Sequence, residues 1–159
     1  QFDELDIKII LALREDGRMS DSELAKLFEV STSTISRRRT ALIEKGYLKI
    51  VGMLILQNVG LTYVDVFIEL SKDAKSKDVE EFIAEVKKYP QVYEIDQYFE
   101  KPEILIRVFE KDQITLFSFI RDLLTDKDIV HKYTIKQVIR SPKLFDQPMK
   151  EPYKRIFSQ

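Results

Sequence analysis

Residues 20–46 read SDSELAKLFEVSTSTISRRRTALIEKG, and this stretch predicts two helices joined by a tight turn. Ser20 and Glu23 have the spacing of a capping box, which opens the first helix. Ser31 is placed to cap the second helix, and Gly46 is placed to stop it. At helical spacing, the two helices carry the apolar residues Leu24, Leu27, Phe28, Ile35, Leu42 and Ile43. Upstream, a further helix is predicted by Leu5, Ile9, Ile10 and Leu13.

The second helix of this stretch shows a polar face opposite its apolar residues. That face carries Ser33, Ser36, Arg37 and Thr40. Small hydroxyl side chains let a helix approach the major groove of DNA closely, and arginine bonds guanine or phosphate. On charge alone, a solvated amphipathic helix would explain the arginines better. With a capped helix and a tight turn in front of it, the pattern is that of a helix-turn-helix and predicts DNA binding.

Charge is distributed unevenly along the chain, whose formal net charge is only −1. Residues 31–46 hold three arginines and one lysine against one glutamate, a local charge of +3. Such a patch binds phosphate on an otherwise neutral protein, because counterion release depends on the contacts made. We predict that Arg37 contacts bases or flanking phosphates and that Arg38 anchors the DNA backbone. The predicted DNA-binding residues are Ser31, Ser33, Thr34, Ser36, Arg37, Arg38 and Thr40.

The second half of the sequence alternates strand and helix patterns. Val64, Val66, Ile68 and Leu70 recur with the period of two that is typical of a strand. The predicted elements are strands at 64–70, 92–99, 104–109 and 129–139, and helices at 79–86 and 114–124. Their order, β-α-β-β-α-β, is the ferredoxin-like arrangement, so the predicted fold class is α+β.

Two helices in this arrangement cover one face of the sheet and leave the other free. A free face that carries Phe67, Tyr93 or Phe109 needs a partner, so we expect a homodimer. Whether such dimers assemble further into a tetramer or octamer stays open. The apolar stretch from Tyr47 to Leu56 is expected to be extended and to pair, for instance with its counterpart in a second subunit. The predicted domains are 1–46 for DNA binding, 47–61 as connector, 62–140 as the ferredoxin-like domain that dimerises, and 141–159 as a basic-aromatic arm.

The arm and the overall composition narrow the class of protein. The segment 141–159 contains prolines that interrupt any regular element, at Pro142, Pro148 and Pro152. It also carries the aromatic residues Tyr153 and Phe157. An ordered arm and a disordered tail both stay open as alternatives for it. The absence of cysteine excludes disulfides and thiolate metal sites. No apolar stretch approaches the roughly 20 residues of a membrane helix. We expect a cytoplasmic protein without cofactor or metal, and the charged fraction of 33% favours a thermophile.

Residues 3–48 resemble the leucine-responsive regulator and asparagine-synthetase regulator (Lrp/AsnC) family. The resemblance runs through 3–13, 16–20, 23–25, 31–38, Leu42 and Gly46. It implies a DNA-binding transcriptional regulator of archaeal or thermophilic origin, dimers that assemble further, and often control by a bound amino acid. The β-α-β-β-α-β order matches the amino-acid-responsive domain of that family in topology.

The sequence departs from the family pattern at several places. Arg39 stands where an aliphatic residue is usual and is expected to reach solvent or pair with an acid of the first helix. Glu29 stands where Gly is common. The turn that typically carries Gly and Asp near the effector pocket holds Glu100, Lys101 and Glu103 here. These three residues are the predicted effector site, and the added charge argues against a standard amino acid as ligand. As a metal site the same turn is disfavoured, because solvated acidic turns are common.

Two alternatives belong to other functional classes. Sirohaem decarboxylases resemble this family in both domains, so fold alone does not exclude an enzyme. The sequence has a single histidine, His131, and a lone strand histidine is far more often a surface or interface residue than a catalytic one. The other alternative is a ligand-sensing dimer that no longer binds DNA, and Arg37 and Arg38 argue against it. We therefore predict a regulator and not an enzyme.

Overall fold

The computed structural model describes residues 2–150 of the 159-residue chain. The chain divides into two compact units, the first ending at Leu54 and the second beginning at Ile55. The N-terminal unit is helical, whereas the C-terminal unit combines a sheet with helices.

Three helices form the N-terminal unit: α1 (Glu4–Glu15), α2 (Asp21–Phe28) and α3 (Thr32–Glu44). Asp3, Ser20 and Ser31 cap them, since each side chain accepts the backbone N–H of the residue three positions later. Such a cap satisfies a donor that has no partner inside the helix. The buried core consists of Ile9, Leu13, Leu24, Ala25, Ile35 and Leu42.

The turn between α2 and α3 depends on Glu29, which adopts a left-handed conformation with φ 56°. The N–H of Val30 donates to the carbonyl of Ala25 at 3.1 Å, which closes the helix end. A residue with a Cβ adopts this conformation at a cost of about 1–2 kcal/mol, which explains why glycine is common here in the family. Leu27 and Ile43, predicted to lie on the apolar faces, are exposed in this unit.

The C-terminal unit has the predicted β-α-β-β-α-β order, and the α+β fold class is confirmed. Its elements are β1 (Thr62–Leu70), α4 (Ser76–Val86), β2 (Val92–Gln97), β3 (Ile104–Glu110), α5 (Gln113–Leu124) and β4 (Val130–Gln137). The strands form one antiparallel sheet in the order β2-β3-β1-β4. Strand β2 ends two residues earlier than predicted, because the chain turns after the N–H of Tyr98 donates to the carbonyl of Glu103 at 2.7 Å.

Helices α4 and α5 both pack on one face of this sheet. The core between them and the strands includes Val64, Val66, Ile68, Phe82, Val86, Ile104, Ile106, Leu116 and Ile120. The alternate residues of each strand point to the other face, which we name the open face. A bulge between Val92 and Glu94 places Tyr93 and Glu94 together on the open face, where the Tyr93 ring lies 6.1 Å from that of Phe109.

The connector between the units has little regular structure. Residues 47–55 contain no helix or strand, and a short 3-10 helix follows at Leu56–Asn58. Tyr47, Val51 and Leu54 are exposed. Within residues 2–150 no strand pairs with this segment, so its pairing with a second subunit stays a prediction.

The first part of the C-terminal arm is ordered. Strands β5 (Lys143–Leu144) and β6 (Gln147–Pro148) pair antiparallel. At the turn between them, Phe145 has φ 50° and an exposed fraction of 83%. The sequence left open an ordered arm or a disordered tail for this segment, and the structure shows an ordered arm up to residue 150. The remaining residues named there, Pro152, Tyr153 and Phe157, lie outside the described residues.

A buried glutamine holds the start of this arm. Gln57 is only 5% exposed. Its Oε1 accepts the N–H of Ser141 at 2.8 Å and the hydroxyl of Tyr63 at 3.4 Å, and its Nε2 donates to the carbonyl of Ser141 at 3.2 Å. Because all the polar atoms of the Gln57 amide have partners, the amide can be buried at little cost.

Candidate nucleic-acid interface

The exposed face of α3 carries short hydroxyl side chains around one arginine. Ser33, Ser36, Arg37 and Thr40 are all exposed, and their spacing of three, four and seven positions places them on one side of the helix. Ile35 and Leu42 are buried in the helical core and hold that side outward. The result is a low polar surface with a single long cationic side chain, a shape suited to a DNA groove.

Three of the predicted DNA-binding hydroxyls, those of Ser31, Ser33 and Thr34, form contacts with one another at the helix cap. The Ser31 Oγ accepts the N–H of Thr34 at 3.2 Å and lies 2.8 Å from the Thr34 Oγ1 and 3.1 Å from the Ser33 Oγ. The cap fixes where α3 begins, and the helix N-terminus is favourable for a phosphate.

Arg38 is held by two carboxylates of the N-terminal unit. Its Nη1 donates to the Asp3 Oδ2 and, at 3.1 Å, to the Asp6 Oδ1. The N–H of Asp6, followed by the Arg38 guanidinium, lowers the pKa of Asp3 below its usual value. The hydrogen bond to Asp3 in turn raises the pKa of Arg38. These bonds join the start of α1 to the middle of α3, so the Arg38 charge is already partly neutralised.

Arg39 pairs with the start of α2. Its Nη1 donates to the carbonyl of Met19 at 2.9 Å and to the Asp21 Oδ1 at 3.1 Å. The expectation that Arg39 reaches solvent or pairs with the first helix is therefore wrong. Asp21 lies at the N-terminal end of α2, where the α2 backbone and the guanidinium both favour its negative charge.

Arg37 differs from both of its neighbours. It is exposed, and its side chain forms no ion pair or hydrogen bond with any other residue in the range 2–150. Its guanidinium therefore keeps all five donors available for a ligand.

The predicted effector residues lie at a groove on the C-terminal unit. This turn groove has a volume of about 730 Å³ and is lined by Phe67, Tyr98, Glu100, Lys101, Pro102, Thr134 and Lys136. Glu100 and Lys101 thus meet at one surface, but Glu103 is not part of the lining. The Glu103 carboxylate instead accepts the N–H of Leu70 at 3.0 Å, which gives it a structural role.

Lys101 also has an internal partner. Its Nζ lies 3.2 Å from the Glu69 Oε1, and the Lys132 Nζ lies 3.2 Å from the Glu69 Oε2. The hydrogen bond from Lys101, with a smaller contribution from Lys132, lowers the pKa of Glu69. A carboxylate ligand in the turn groove would compete with Glu69 for Lys101.

Sequence comparisons assign the chain to a family. An AsnC-type helix-turn-helix domain matches residues 2–43. A helix-turn-helix-type transcriptional regulator of Pyrococcus abyssi is 30% identical over 128 residues, which is 80% of each chain. A proline dehydrogenase transcriptional activator of Rhizobium radiobacter is 33% identical over 112 residues, 69% of this chain and 71% of that protein.

The chain belongs to the Lrp/AsnC family. A solved structure supports the same assignment over both units: a transcriptional regulator of Neisseria meningitidis, crystallised as a complex with L-Met, has a TM-score of 0.78 and 28% identity. The alignment covers 93% of this chain and 97% of that one. This Lrp/AsnC protein is therefore a DNA-binding transcriptional regulator. Within residues 2–150, no helix is long and apolar enough to cross a membrane.

The residues that hold α3 in place in this Lrp/AsnC regulator were not identified from sequence. Asp3, Asp6 and Asp21 lie in the first turns of their helices or at their caps, where the pattern indicated only interactions with the helix backbone. The spacing of Asp3 and Asp6, one helical turn apart, was the available signal for a shared partner.

Proposed function

We propose that this Lrp/AsnC regulator binds a palindromic DNA site as a dimer, with α3 of each copy in the major groove. The observation that carries the proposal is the difference between three adjacent arginines. Arg38 and Arg39 are paired inside the N-terminal unit, whereas Arg37 is exposed and has no such partner within residues 2–150. Arg37 is the side chain that reaches a base or its phosphate.

The remaining predicted residues divide into two groups. Ser33, Ser36 and Thr40 share the exposed face with Arg37 and form the short polar contacts that a groove accommodates. Ser31, Thr34 and Arg38 hold the cap and the position of α3, and they contribute to binding through that geometry and by contact with phosphate.

The dimer in this proposal uses two apolar surfaces. The connector exposes Tyr47, Val51 and Leu54, and the open face carries the Tyr93–Phe109 ring pair. Exposed apolar surface of this kind marks a protein interface, and a second copy is the partner that family membership supports. Two recognition helices then face two half-sites.

Effector response and location complete the proposal. The Neisseria relative was crystallised with L-Met, and the turn groove is where we place an effector of this chain, although Glu69 already binds Lys101 there. We propose that the protein is a regulator without catalysis, because its relatives are regulators and the sole histidine of the sequence, His131, is exposed on β4. The protein acts in the compartment that holds its DNA, the cytoplasm.

Gel-shift titration on a selected operator tests the role of Arg37. Arg37→Ala is expected to weaken binding by about 1–3 kcal/mol and to relax preference at one base position. Arg38→Ala is expected to weaken all sequences alike, with a lower melting temperature and a shallower salt dependence. Arg121→Ala, at an exposed arginine of α5 in the C-terminal unit, is the matched control and should bind like the parent. Parental affinity in both Arg37→Ala and Arg38→Ala would refute the assignment of α3.

A further inference from the structure

Four charged side chains cross the open face in one line, one from each strand. Glu94 of β2 is the cross-strand partner of Arg107 of β3. Arg107 is in turn opposite Asp65 of β1, and Asp65 is opposite Lys136 of β4. We name these four residues the charge row. Their signs alternate across the sheet, negative, positive, negative, positive, and sum to zero.

Pairing inside one chain leaves the charge row incomplete. The Arg107 Nε lies 2.5 Å from the Glu94 Oε2, and the Arg107 Nη1 lies 3.6 Å from the Asp65 Oδ1. That Oδ1 atom is buried and accepts no hydrogen bond from the described residues. The Lys136 Nζ lies 5.2 Å above the Phe67 ring and forms no ion pair within residues 2–150. The Arg107–Asp65 distance is too long for a hydrogen bond and Lys136 has no carboxylate partner within residues 2–150, so the charges of the row are only partly paired inside one chain.

We propose that the charge row registers the open faces of two copies of this chain against each other, which rests on the dimer of the proposed function. An alternating row of four charges has the opposite sign at every position when it is read backwards. A two-fold axis parallel to the strands reverses the row in just this way. It places Arg107 opposite the partner's Asp65 and Glu94 opposite the partner's Lys136.

The charge row itself disfavours the alternative axis. An axis along the row instead brings Asp65 against the partner's Asp65, and like charges in contact are unfavourable.

The charge row also identifies the occupant as a second copy. A polyanion such as nucleic acid, or an anionic membrane, needs a surface of one positive sign. The row is neutral and complementary to its own reverse. It therefore matches an identical chain without any change in either partner.

A paired charge swap tests the proposal by sorting of subunits. Asp65→Arg combined with Arg107→Asp exchanges the two inner charges of the row and leaves it complementary to its own copy. Against the parent chain, however, the arginine introduced on β1 would face the parent's Arg107, and the aspartate introduced on β3 would face the parent's Asp65. We expect the swapped chain to form homodimers and its heterodimers with a mass-tagged parent to fall about tenfold below the statistical proportion in native mass spectrometry.

Two further variants complete the design. Lys127→Glu with Glu85→Lys swaps an ion pair with an Nζ–Oε1 distance of 2.7 Å on the helix side of the sheet, and it should mix with the parent statistically. Glu94→Lys with Lys136→Glu changes the outer ends of the row, which are more accessible, and should sort from the parent even if the inner swap fails to fold.

The outcomes separate the two proposals. Statistical mixing of either folded row swap overturns the charge row as a registration element. An excess of heterodimer also overturns it, because that result requires the axis along the row. A parent chain that is monomeric before any substitution overturns the proposed dimer itself.

Discussion

At the scale of single residues, three consecutive arginines have three different environments. Successive residues of a helix point about 100° apart, so Arg37, Arg38 and Arg39 face three directions. Arg37 faces solvent, Arg38 faces the acids at the start of α1, and Arg39 faces the start of α2. The sequence predicted the exposed face correctly at Arg37 but not the partner of Arg39, because helical periodicity does not specify which neighbouring helix lies on which side.

Arg39→Leu is expected to change the free energy of unfolding by less than about 1 kcal/mol. The Arg39 and Asp21 side chains are 21% and 29% exposed. The Asp21 carboxylate that remains after Arg39→Leu lies in the first turn of α2, where the helix dipole stabilises a negative charge, so little stability is lost. Asp21→Ala should cost more, because it leaves the guanidinium partly buried without its carboxylate. Urea unfolding of the full chain measures both, with Arg18→Leu as an exposed control. A loss above about 2 kcal/mol for Arg39→Leu alone would mean that the ion pair is required.

At the scale of elements, the sequence predicted those helices and strands whose formation depends on residues close together in the chain. Capping residues and apolar periodicity predicted α2, α3 and the β-α-β-β-α-β order along the chain, because both act within a few positions. The β2 bulge at Val92/Glu94 and the Gln57–Ser141 tie, which joins positions 84 apart, depend on contacts that are distant in sequence. The role of Glu103 was missed for the same reason, since its partner is the N–H of Leu70.

The turn between β2 and β3 is expected to bind standard amino acids no better than about millimolar, roughly 4 kcal/mol. Glu100 adds negative charge to the turn groove, and Glu69 competes for the Lys101 ammonium that a ligand carboxylate would need. Calorimetry with each of the twenty amino acids measures this directly. A micromolar ligand that is lost in Glu100→Ala but retained in Glu80→Ala, an exposed control on α4, would show that the turn groove is an amino-acid site.

At the scale of the whole molecule, the sequence predicts a partner but not the geometry of its contact. Apolar residues in the connector and on one sheet face predict an interface there. The charge row appears only after the registers of four strands are known, because Asp65 and Arg107 are 42 positions apart in sequence. A symmetry axis is a property of such registers, and no local pattern encodes it.

The proposed dimer predicts a dependence of DNA affinity on the phase of the two half-sites. Two recognition helices related by a two-fold axis bind half-sites centred about 34 Å apart, one turn of about 10 base pairs. Inserting about five base pairs between the half-sites turns one of them to the opposite side of the duplex, whereas inserting about ten restores its direction. We therefore expect the half-turn insertion to reduce affinity to that of a single half-site, measured by gel shift on otherwise identical duplexes, and the full-turn insertion to weaken binding less. Equal affinity for the parent, half-turn and full-turn duplexes would mean that each copy binds DNA independently. Sedimentation of the protein at the same concentration would then distinguish a monomer from a dimer whose two recognition helices do not act together.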